Sequence, residues 1–363
     1  MKKILVVLLA LVVVASLPLF SQAAGEQKPY IAVVSKGEQH DFWQQVKLGA
    51  NAAAKEYNVD ITFEGPPSES DVQIQVEMLN NAMAKNPVAL ALAALNTSSV
   101  LDQLQQTKAK GIPVIGFDSG VPEAPAGSIW ANASTDNYNA AGLAAEKMFP
   151  HIKARIEAAT DARPVKIVVM NQDASGESLL SRGKGFRDRM VELIATQTKL
   201  SRDDIAVIGN TAYIAADSPT RGRKVFIEMV VPASAAMTDA TNSAQAVLNK
   251  VVSDRVLGIF CSNEATVKGL LAATNDGATL KSNANFRDVV VIGYDAGEAQ
   301  KNAVRAEYFL GSITQDPYMI GFRAVELAYK AYKGEPVADI DTGAKFYDKN
   351  NMDDADIRGL LYD

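Results

Sequence analysis

The sequence predicts an α/β protein built from two similar doubly wound parallel-sheet lobes with a ligand cleft between them. Short runs that are apolar on both faces alternate with amphipathic stretches along most of the 363 residues, which is typical of parallel strands joined by helices. This alternation restarts near Asn132–Asp136, so the pattern occurs twice. Each series also ends a buried run on an aspartate, in "IGFDSG" (115–120) and in "VIGYDAG" (291–297).

The first series predicts four strands with a helix after each of the first three. The strands are expected at "YIAVVS" (30–35), "DITFEG" (60–65), "VALALAAL" (88–95) and "PVIGF" (113–117). Helical spacing of apolar residues follows over 42–57, 70–85 and 98–110. Runs of this kind indicate one sheet with helices on both faces.

The second series has the same organisation. Strands are expected at "VKIVVM" (165–170), "KVFIEMVV" (224–231), "VLGIF" (256–260) and "DVVVIGY" (288–294), each with a helical stretch after it. "GSITQ" (311–315) is a candidate crossing between the lobes, and a further helix is predicted over 318–333. The polar stretch 201–223 reads as irregular, and the sequence assigns it no function.

Residues 1–24 have the features of a secretory signal peptide. Lys2 and Lys3 precede the uncharged stretch Ile4–Phe20, and small residues follow at a suitable cleavage site before Gly25. An uncleaved membrane anchor is the alternative, and Pro18 disfavours it. We therefore expect a soluble, exported chain, periplasmic or otherwise secreted.

Composition excludes several classes of partner. The formal net charge is −6, and lysines and arginines are scattered singly, so neither nucleic acid nor an anionic membrane surface is expected to bind. The single cysteine, Cys261, cannot form an internal disulfide. The two histidines, His40 and His151, belong to no Cys/His cluster, so we expect no metal and no cofactor.

Candidate site residues follow from the rule that sites in open parallel sheets form beyond the carboxyl ends of the strands. Both series place polar side chains there, and the first adds an aromatic pair. The candidates for ligand binding are Lys36, His40, Phe42, Trp43, Asn96, Asp118, Ser119, Glu177, Asn263, Asp295 and Gln315.

The two strand-end aspartates, Asp118 and Asp295, have two explanations. Each could accept from backbone amides as a helix cap or Asx turn. Their equivalent places in the two lobes favour ligand contact, because one carboxylate can accept from two vicinal hydroxyls. Phe42 and Trp43 cannot both point into one helix face, so one ring is expected to face the cleft and suit the C–H face of a sugar.

The remaining candidates also keep an alternative. Asn263 and Gln315 each offer a donor and an acceptor for hydroxyls, but they could equally satisfy backbone groups. No nucleophile accompanies His40, so a ligand donor or a solvated loop residue fits it better than a general base. Walker A, G-x-S-x-G and H-E-x-x-H motifs are all missing from the sequence. Catalysis by Asp118 and Asp295 as a glycosidase pair matches parallel α/β lobes poorly.

Several of these segments together resemble the periplasmic sugar-binding proteins of the ribose-binding type, which deliver ligands to ATP-driven importers. The resemblance covers essentially all of the chain after the signal peptide. It rests on Phe42-Trp43, "GIPVIGFD" ending at Asp118, "TDN" (135–137), "RGKGF" (182–186), "CSNE" (261–264), "VIGYD" ending at Asp295, and "GSITQDPYMIG" with Gln315.

The resemblance implies a type I periplasmic binding fold whose lobes are joined by a three-crossing hinge and close on one sugar. It implies an N-terminal lobe of 25–133 plus 316–340 and a C-terminal lobe of 134–315 plus 341–363. In that family, residues matching Phe42, Trp43, Asp118, Asn263, Asp295 and Gln315 contact the ligand, and His40 stands in the place of a contacting asparagine.

The sequence also departs from the ribose-binding pattern. Ser119 stands where ribose binders carry an arginine, and a second ligand-binding arginine would fall near Leu180, so both cations are expected to be missing. Lys36 and Glu177 instead resemble positions used by autoinducer-2-binding relatives.

The expected function is non-enzymatic capture of a monosaccharide or similar polyol by a monomer that docks on the permease of an ABC importer. Three alternatives stay open: an autoinducer-2-type signal binder, a sugar sensor that docks on a chemoreceptor, and an exported carbohydrate-active enzyme.

Overall fold

A computed structural model of the protein describes residues 28–214 and 219–362; the predicted signal peptide lies outside them. The strands, numbered along the chain, are β1 (Tyr30–Val34), β2 (Asp60–Glu64), β3 (Ala89–Leu92), β4 (Val114–Phe117), β5 (Ile129–Ser134), β6 (Val165–Met170), β7 (Ile205–Gly209), β8 (Val225–Val230), β9 (Val256–Cys261), β10 (Val290–Tyr294), β11 (Gly311–Gln315), β12 (Ile340–Asp341) and β13 (Ala344–Tyr347).

The α-helices lie largely where the apolar spacing predicts them. They are α1 (Asp41–Glu56), α2 (Val72–Ala84), α3 (Leu101–Ala109), α4 (Asn137–Glu157), α5 (Glu177–Gln197), α6 (Met237–Leu248), α7 (Glu264–Ala272), α8 (Ala278–Ser282), α9 (Glu298–Arg305), α10 (Pro317–Tyr332) and α11 (Ala355–Arg358). Local caps explain two of the starts. Asp136 accepts from the backbone amide of Asn139 before α4, and Asp316 precedes Pro317, which favours the first position of α10.

The strands form two separate sheets, one in each lobe. The N-terminal sheet has the order β12-β5-β4-β3-β1-β2, and all of its pairings are parallel. Side chains from α1 and α10 pack on one face, and those from α2 and α3 pack on the other. The predicted doubly wound arrangement of this lobe is confirmed.

The C-terminal sheet has the order β13-β11-β10-β9-β6-β8-β7. The pairings are parallel except that β13 runs antiparallel to β11. α4 and α5 cover one face with a core that includes Phe186 stacked on Phe260, and α6, α7 and α9 lie on the other. This order places the carboxyl ends of β9, β10 and β11 side by side.

The chain passes between the lobes three times, as the fold prediction requires. It crosses after β5, between β11 and α10, and between β12 and β13. The first and third crossings are hydrogen-bonded to each other, since the amide of Thr342 donates to the carbonyl of Ser134 (3.0 Å) and Thr135 Oγ1 donates to the carbonyl of Gly343 (3.2 Å). These paired segments form the hinge.

The prediction that 201–223 is irregular is wrong for β7. Ile205 and Ala206 are buried, and β7 pairs in parallel with β8 at the edge of the C-terminal sheet. Tyr213 from the same stretch lies fully in the core. Charged residues flank this short strand, so the hydropathy pattern of the sequence does not indicate it.

Within 28–214 and 219–362, no helix combines the length and the apolar character needed to cross a bilayer.

Candidate functional site

A cavity lies between the lobes at the carboxyl ends of β1, β4, β9, β10 and β11. Its volume is about 40 Å³, well below the roughly 300–1,000 Å³ usual for small-molecule sites, so the lobes as they stand leave little room between them. The lining residues come from both lobes: Lys36, His40, Phe42, Trp43, Glu69, Asp118, Leu179, Arg182, Asn263, Glu264, Ala265, Asp295 and Gln315.

In the N-terminal lobe, Asp118 directly follows β4 with a positive φ of 54°, a conformation that aspartate tolerates better than most residues. Its amide donates to the carbonyl of Ala133 (3.1 Å), which fixes the turn. The buried carboxylate forms an ion pair with Lys36, whose Nζ lies 3.2 Å from Oδ2. Burial alone would lower the pKa of Lys36, but Asp118 and then Glu69 raise it above its usual value.

In the C-terminal lobe, Asp295 occupies the equivalent position after β10. Its φ is 80°, and its amide donates to the carbonyl of Ile313 (2.6 Å). Its carboxylate accepts from the amide of Glu264 (3.0 Å) and from Gln315 Nε2 (2.7 Å), and Arg182 lies 3.9 Å away. Burial raises the pKa of Asp295 above its usual range; Arg182 opposes the rise and Glu264 adds to it.

Arg182 reaches the cavity from the first turns of α5. Its Nε donates to Asn137 Oδ1 (2.7 Å), its NH1 donates to the carbonyl of Ser262 (3.2 Å), and its guanidinium lies 3.9 Å from the ring centroid of Tyr294. Burial works to lower the pKa of Arg182, but the acidic groups around it raise that pKa, so the side chain remains a fixed cation. Because Asn137 begins α4 at the first crossing, this network connects the cavity to the hinge.

Phe42 and Trp43 both line the cavity from the first turn of α1. Their rings meet edge to face at a centroid distance of 5.0 Å, and both are almost fully buried. Trp43 Nε1 donates to Glu69 Oε1 (2.8 Å). The half-buried His40 precedes them and also faces the cavity. This wall offers flat apolar surface beside polar groups, which suits a molecule with C–H faces and hydroxyl edges.

Asn263 and Gln315 use part of their hydrogen-bonding capacity within the protein. Asn263 Oδ1 accepts from the amide of Thr266 and caps α7, and its Nδ2 donates to Gln172 Oε1. Gln315 Nε2 donates to Asp295, but its buried Oε1 has no partner among the described residues. An unsatisfied buried oxygen costs free energy, so Gln315 presents an acceptor that a ligand hydroxyl would satisfy.

Comparison with known proteins identifies the architecture around this cavity. A family model described as a periplasmic binding protein domain matches residues 31–336. The chain belongs to this periplasmic binding protein family. That match spans strands from both sheets and every residue that lines the cavity.

Two of the relatives of this periplasmic binding protein are described as binding proteins of sugars or solutes. The D-allose-binding periplasmic protein of Escherichia coli is 23% identical over 320 residues, covering 87% of this chain and 88% of that protein. A Brachyspira murdochii structure described as an ABC transporter, LacI family transcriptional regulator, is 41% identical with a TM-score of 0.76, covering 93% of this chain and 99% of that one. A solute-binding protein of an ABC transporter from Agrobacterium vitis, with bound D-fucose, is 26% identical with a TM-score of 0.73, covering 92% and 100%.

Three predicted site residues lie outside the lining of the cavity. Asn96 Oδ1 accepts from the backbone amides of Ser98 and Ser99, so it orders the turn before α3. Ser119 is fully buried, and its Oγ accepts from the amide of Ser178 (3.4 Å) across the lobes. Glu177 begins α5 and accepts from Ser181 Oγ (2.7 Å). The polar atoms of Asn96 and Glu177 serve local structure, and Ser119 contributes to the contact between the lobes.

The sequence reasoning missed the lining residues Glu69, Leu179, Arg182, Glu264 and Ala265. The expectation that the second cation is missing is wrong, because Arg182 supplies it to the C-terminal lobe. In the N-terminal lobe Ser119 still stands in the place of the first arginine, and the predicted residue Lys36 supplies a cation. The motif "RGKGF" could have indicated Arg182. Side chains on a helix lean towards its amino terminus, so Arg182 leans towards the start of α5 at Glu177. No motif marked Glu69.

Proposed function

We propose that this protein is an exported solute-binding protein that captures a monosaccharide or similar small polyol and delivers it to the membrane permease of an ABC importer. The observation that carries the proposal is the pair of strand-end aspartates, Asp118 and Asp295, which line one cavity from opposite lobes. Carboxylates accept strongly from hydroxyls, and the rings of Phe42 and Trp43 provide the stacking surface between them. D-allose and D-fucose, named with two of its relatives, are both neutral sugars.

Capture would occur by closure about the hinge. Contacts already join the lobes beside the cavity: Lys36 Nζ donates to Ser178 Oγ (3.4 Å), and the amide of Thr97 donates to the carbonyl of Ser175 (3.3 Å). A sugar held by both aspartates would add contacts only in the closed state, so it would shift the population towards closure. The closed pair of lobes would present the surface that the permease recognises.

The test is thermal unfolding of the chain from Gly25 against D-allose, D-fucose, other pentoses and hexoses, and autoinducer-2. A sugar at about a thousand times its Kd adds roughly 4 kcal/mol to the free energy of unfolding, a rise of several degrees in Tm. The same sugar should raise the Tm of the Glu177→Gln variant, which is altered outside the cavity, by the same amount. A panel in which no neutral sugar raises Tm would contradict the proposal.

A signal-binding role is the second candidate, and the position of Lys36 in the cavity favours it. Lys36 resembles a position that autoinducer-2 binders use, although Glu177, the other such position, lies outside the lining. A Tm shift with autoinducer-2 and none with sugars would favour this function over sugar uptake.

A further inference from the structure

Glu69 is a cavity residue that neither the strand-end rule nor the family resemblance assigns. It lies in the loop between β2 and α2 and is half-buried. The loop is held by its own hydrogen bonds, since Ser68 Oγ and Ser70 Oγ are 2.8 Å apart and the amide of Asp71 donates to the carbonyl of Ser68 (3.0 Å). This local order places the Glu69 side chain in the cavity lining.

Glu69 fixes the orientation of an aromatic wall of the cavity. Its Oε1 accepts from Trp43 Nε1 at 2.8 Å, and a buried indole N–H needs such an acceptor. Gly37 packs against this pair: a Cβ there would lie 3.3 Å from Trp43 Cδ1 and 3.7 Å from Glu69 Cγ. The hydrogen bond and the close packing together hold the plane of the indole ring.

The charge of Glu69 is balanced differently from that of the aspartates in the same cavity. Asp118 has Lys36 at 3.2 Å, and Asp295 has Arg182 at 3.9 Å. Lys36 and Arg182, the cations that line the cavity, form their ion pairs with the aspartates and not with the Glu69 carboxylate. Lys36 interacts with Glu69 over a longer distance but forms its ion pair with Asp118, so two carboxylates share one cation and this end of the cavity keeps a net negative charge. The second oxygen of Glu69, Oε2, retains acceptor capacity.

We propose that Glu69 is a positioning and specificity residue: it sets the plane of Trp43 and excludes ligands with an acidic group at that end of the cavity. The second half of the inference rests on the proposed function, because it needs a sugar to be bound. A carboxylate accepts from a ligand hydroxyl or amine, but it repels a uronate or phosphate in a site of low dielectric constant. Glu69 thus narrows the substrate class to polyols without an acid group.

The experiment separates the two roles with matched variants. Glu69→Gln keeps an oxygen for the Trp43 N–H and removes the charge, and Glu69→Ala removes both. The indole N–H resonances of Trp43 and Trp130, the two tryptophans, are recorded by NMR without ligand, and Trp43→Phe assigns the Trp43 signal. Affinities are then measured for D-fucose, D-galactose and D-galacturonate, which differ only at C6.

We expect Glu69→Ala to shift the Trp43 resonance and to weaken D-galactose binding about tenfold, whereas Glu69→Gln leaves that resonance near its original position. We also expect Glu69→Gln to reduce the preference for D-galactose over D-galacturonate at least tenfold. An unshifted Trp43 resonance in Glu69→Ala overturns the positioning role whether or not any sugar binds. An unchanged preference in Glu69→Gln overturns the charge role. If none of the three sugars binds the unaltered protein, the charge role is rejected for them, and the indole signal still decides the positioning role.

Discussion

The two lobes place an aspartate at the same backbone position and surround it differently. Asp118 and Asp295 both follow a strand, both have a positive φ, and both donate their amide to the neighbouring strand. The carboxylate of Asp118 has one side-chain partner among the described residues, the ammonium group of Lys36. Asp295 accepts two hydrogen bonds and has its cation farther away, at 3.9 Å.

This difference teaches that the backbone position and the electrostatics of a site residue have separate origins. The turn geometry comes from the sheet, which both lobes share. The carboxylates are neutralised by side chains that each lobe supplies from a different place: Lys36 lies in the loop after β1, and Arg182 lies on α5. The N-terminal site is therefore a single buried ion pair, and the C-terminal site is a network.

The largest expected effect comes from removing the cation of the single pair. Lys36→Met leaves Asp118 buried without a partner, so we expect the free energy of unfolding to fall by about 3–5 kcal/mol. Arg182→Met should cost less, about 1–3 kcal/mol, because Asp295 keeps two hydrogen bonds. Urea unfolding of both variants measures the difference.

The double variant Lys36→Met with Asp118→Asn is the control. Because neither buried charge remains, it should recover most of the stability that Lys36→Met loses. Equal losses in Lys36→Met and Arg182→Met, with no recovery in the double variant, would show that the two lobes do not differ in this way.

A smaller effect is expected on sugar affinity. Asparagine is the suitable replacement for both aspartates, because it tolerates the positive φ that alanine would find strained. Asp118→Asn should weaken binding by about 2–3 kcal/mol, roughly 30–150-fold, since Asp118 has more free acceptor capacity for hydroxyls. Asp295→Asn should weaken sugar binding by about 1–2 kcal/mol, because both carboxylate oxygens of Asp295 already accept hydrogen bonds within the protein.

Isothermal titration calorimetry with the sugar that gives the largest Tm shift measures both values. Glu177→Gln, altered outside the cavity, should bind as tightly as the unaltered protein. Full affinity in either asparagine variant would remove that aspartate from the binding site, and a larger loss in Asp295→Asn would reverse the ranking of the lobes.

The sequence predicts this architecture well, because apolar runs and strand ends are local properties. Asp118 and Asp295 are found from their positions alone, and so are the aromatic residues after β1. Asn96 also follows a strand, but its side-chain oxygen accepts from nearby backbone amides. The strand-end rule does not consider that such local hydrogen bonds compete with ligand binding.

The missed residues depend on packing over longer distances. Arg182 lies inside a helix, and its direction depends on how α5 is rotated against the C-terminal sheet. Glu69 lies in a polar loop that resembles any solvated turn until Trp43 is seen to need an acceptor. The short strand β7 is recognisable only once β8 is there to pair with it.

The smallest expected effect is the pH dependence that Asp295 contributes from the C-terminal lobe. Burial raises the folded-state pKa of Asp295 above the value of about 3.9 expected when unfolded. Between these two pKa values the folded protein binds more protons than the unfolded chain, so the contribution of Asp295 to the free energy of unfolding falls as pH rises. Asp295→Asn removes this titration, and we therefore expect the unaltered protein to lose stability relative to the variant from about pH 4 upwards.

Urea unfolding of both proteins from about pH 4 to pH 7 tests this sign. Arg182 and Glu264 face Asp295 and are unchanged in the variant, so the difference between the curves belongs to Asp295. Repeating the series at about 0.5 M salt should preserve the difference, because buried charges are screened much less than exposed ones. If the free energies of unfolding of the two proteins change with pH in parallel, then Arg182 and the two hydrogen bonds fully offset the effect of burial on the pKa of Asp295. The charge of Asp295 would then be as well compensated as that of Asp118 in the N-terminal lobe.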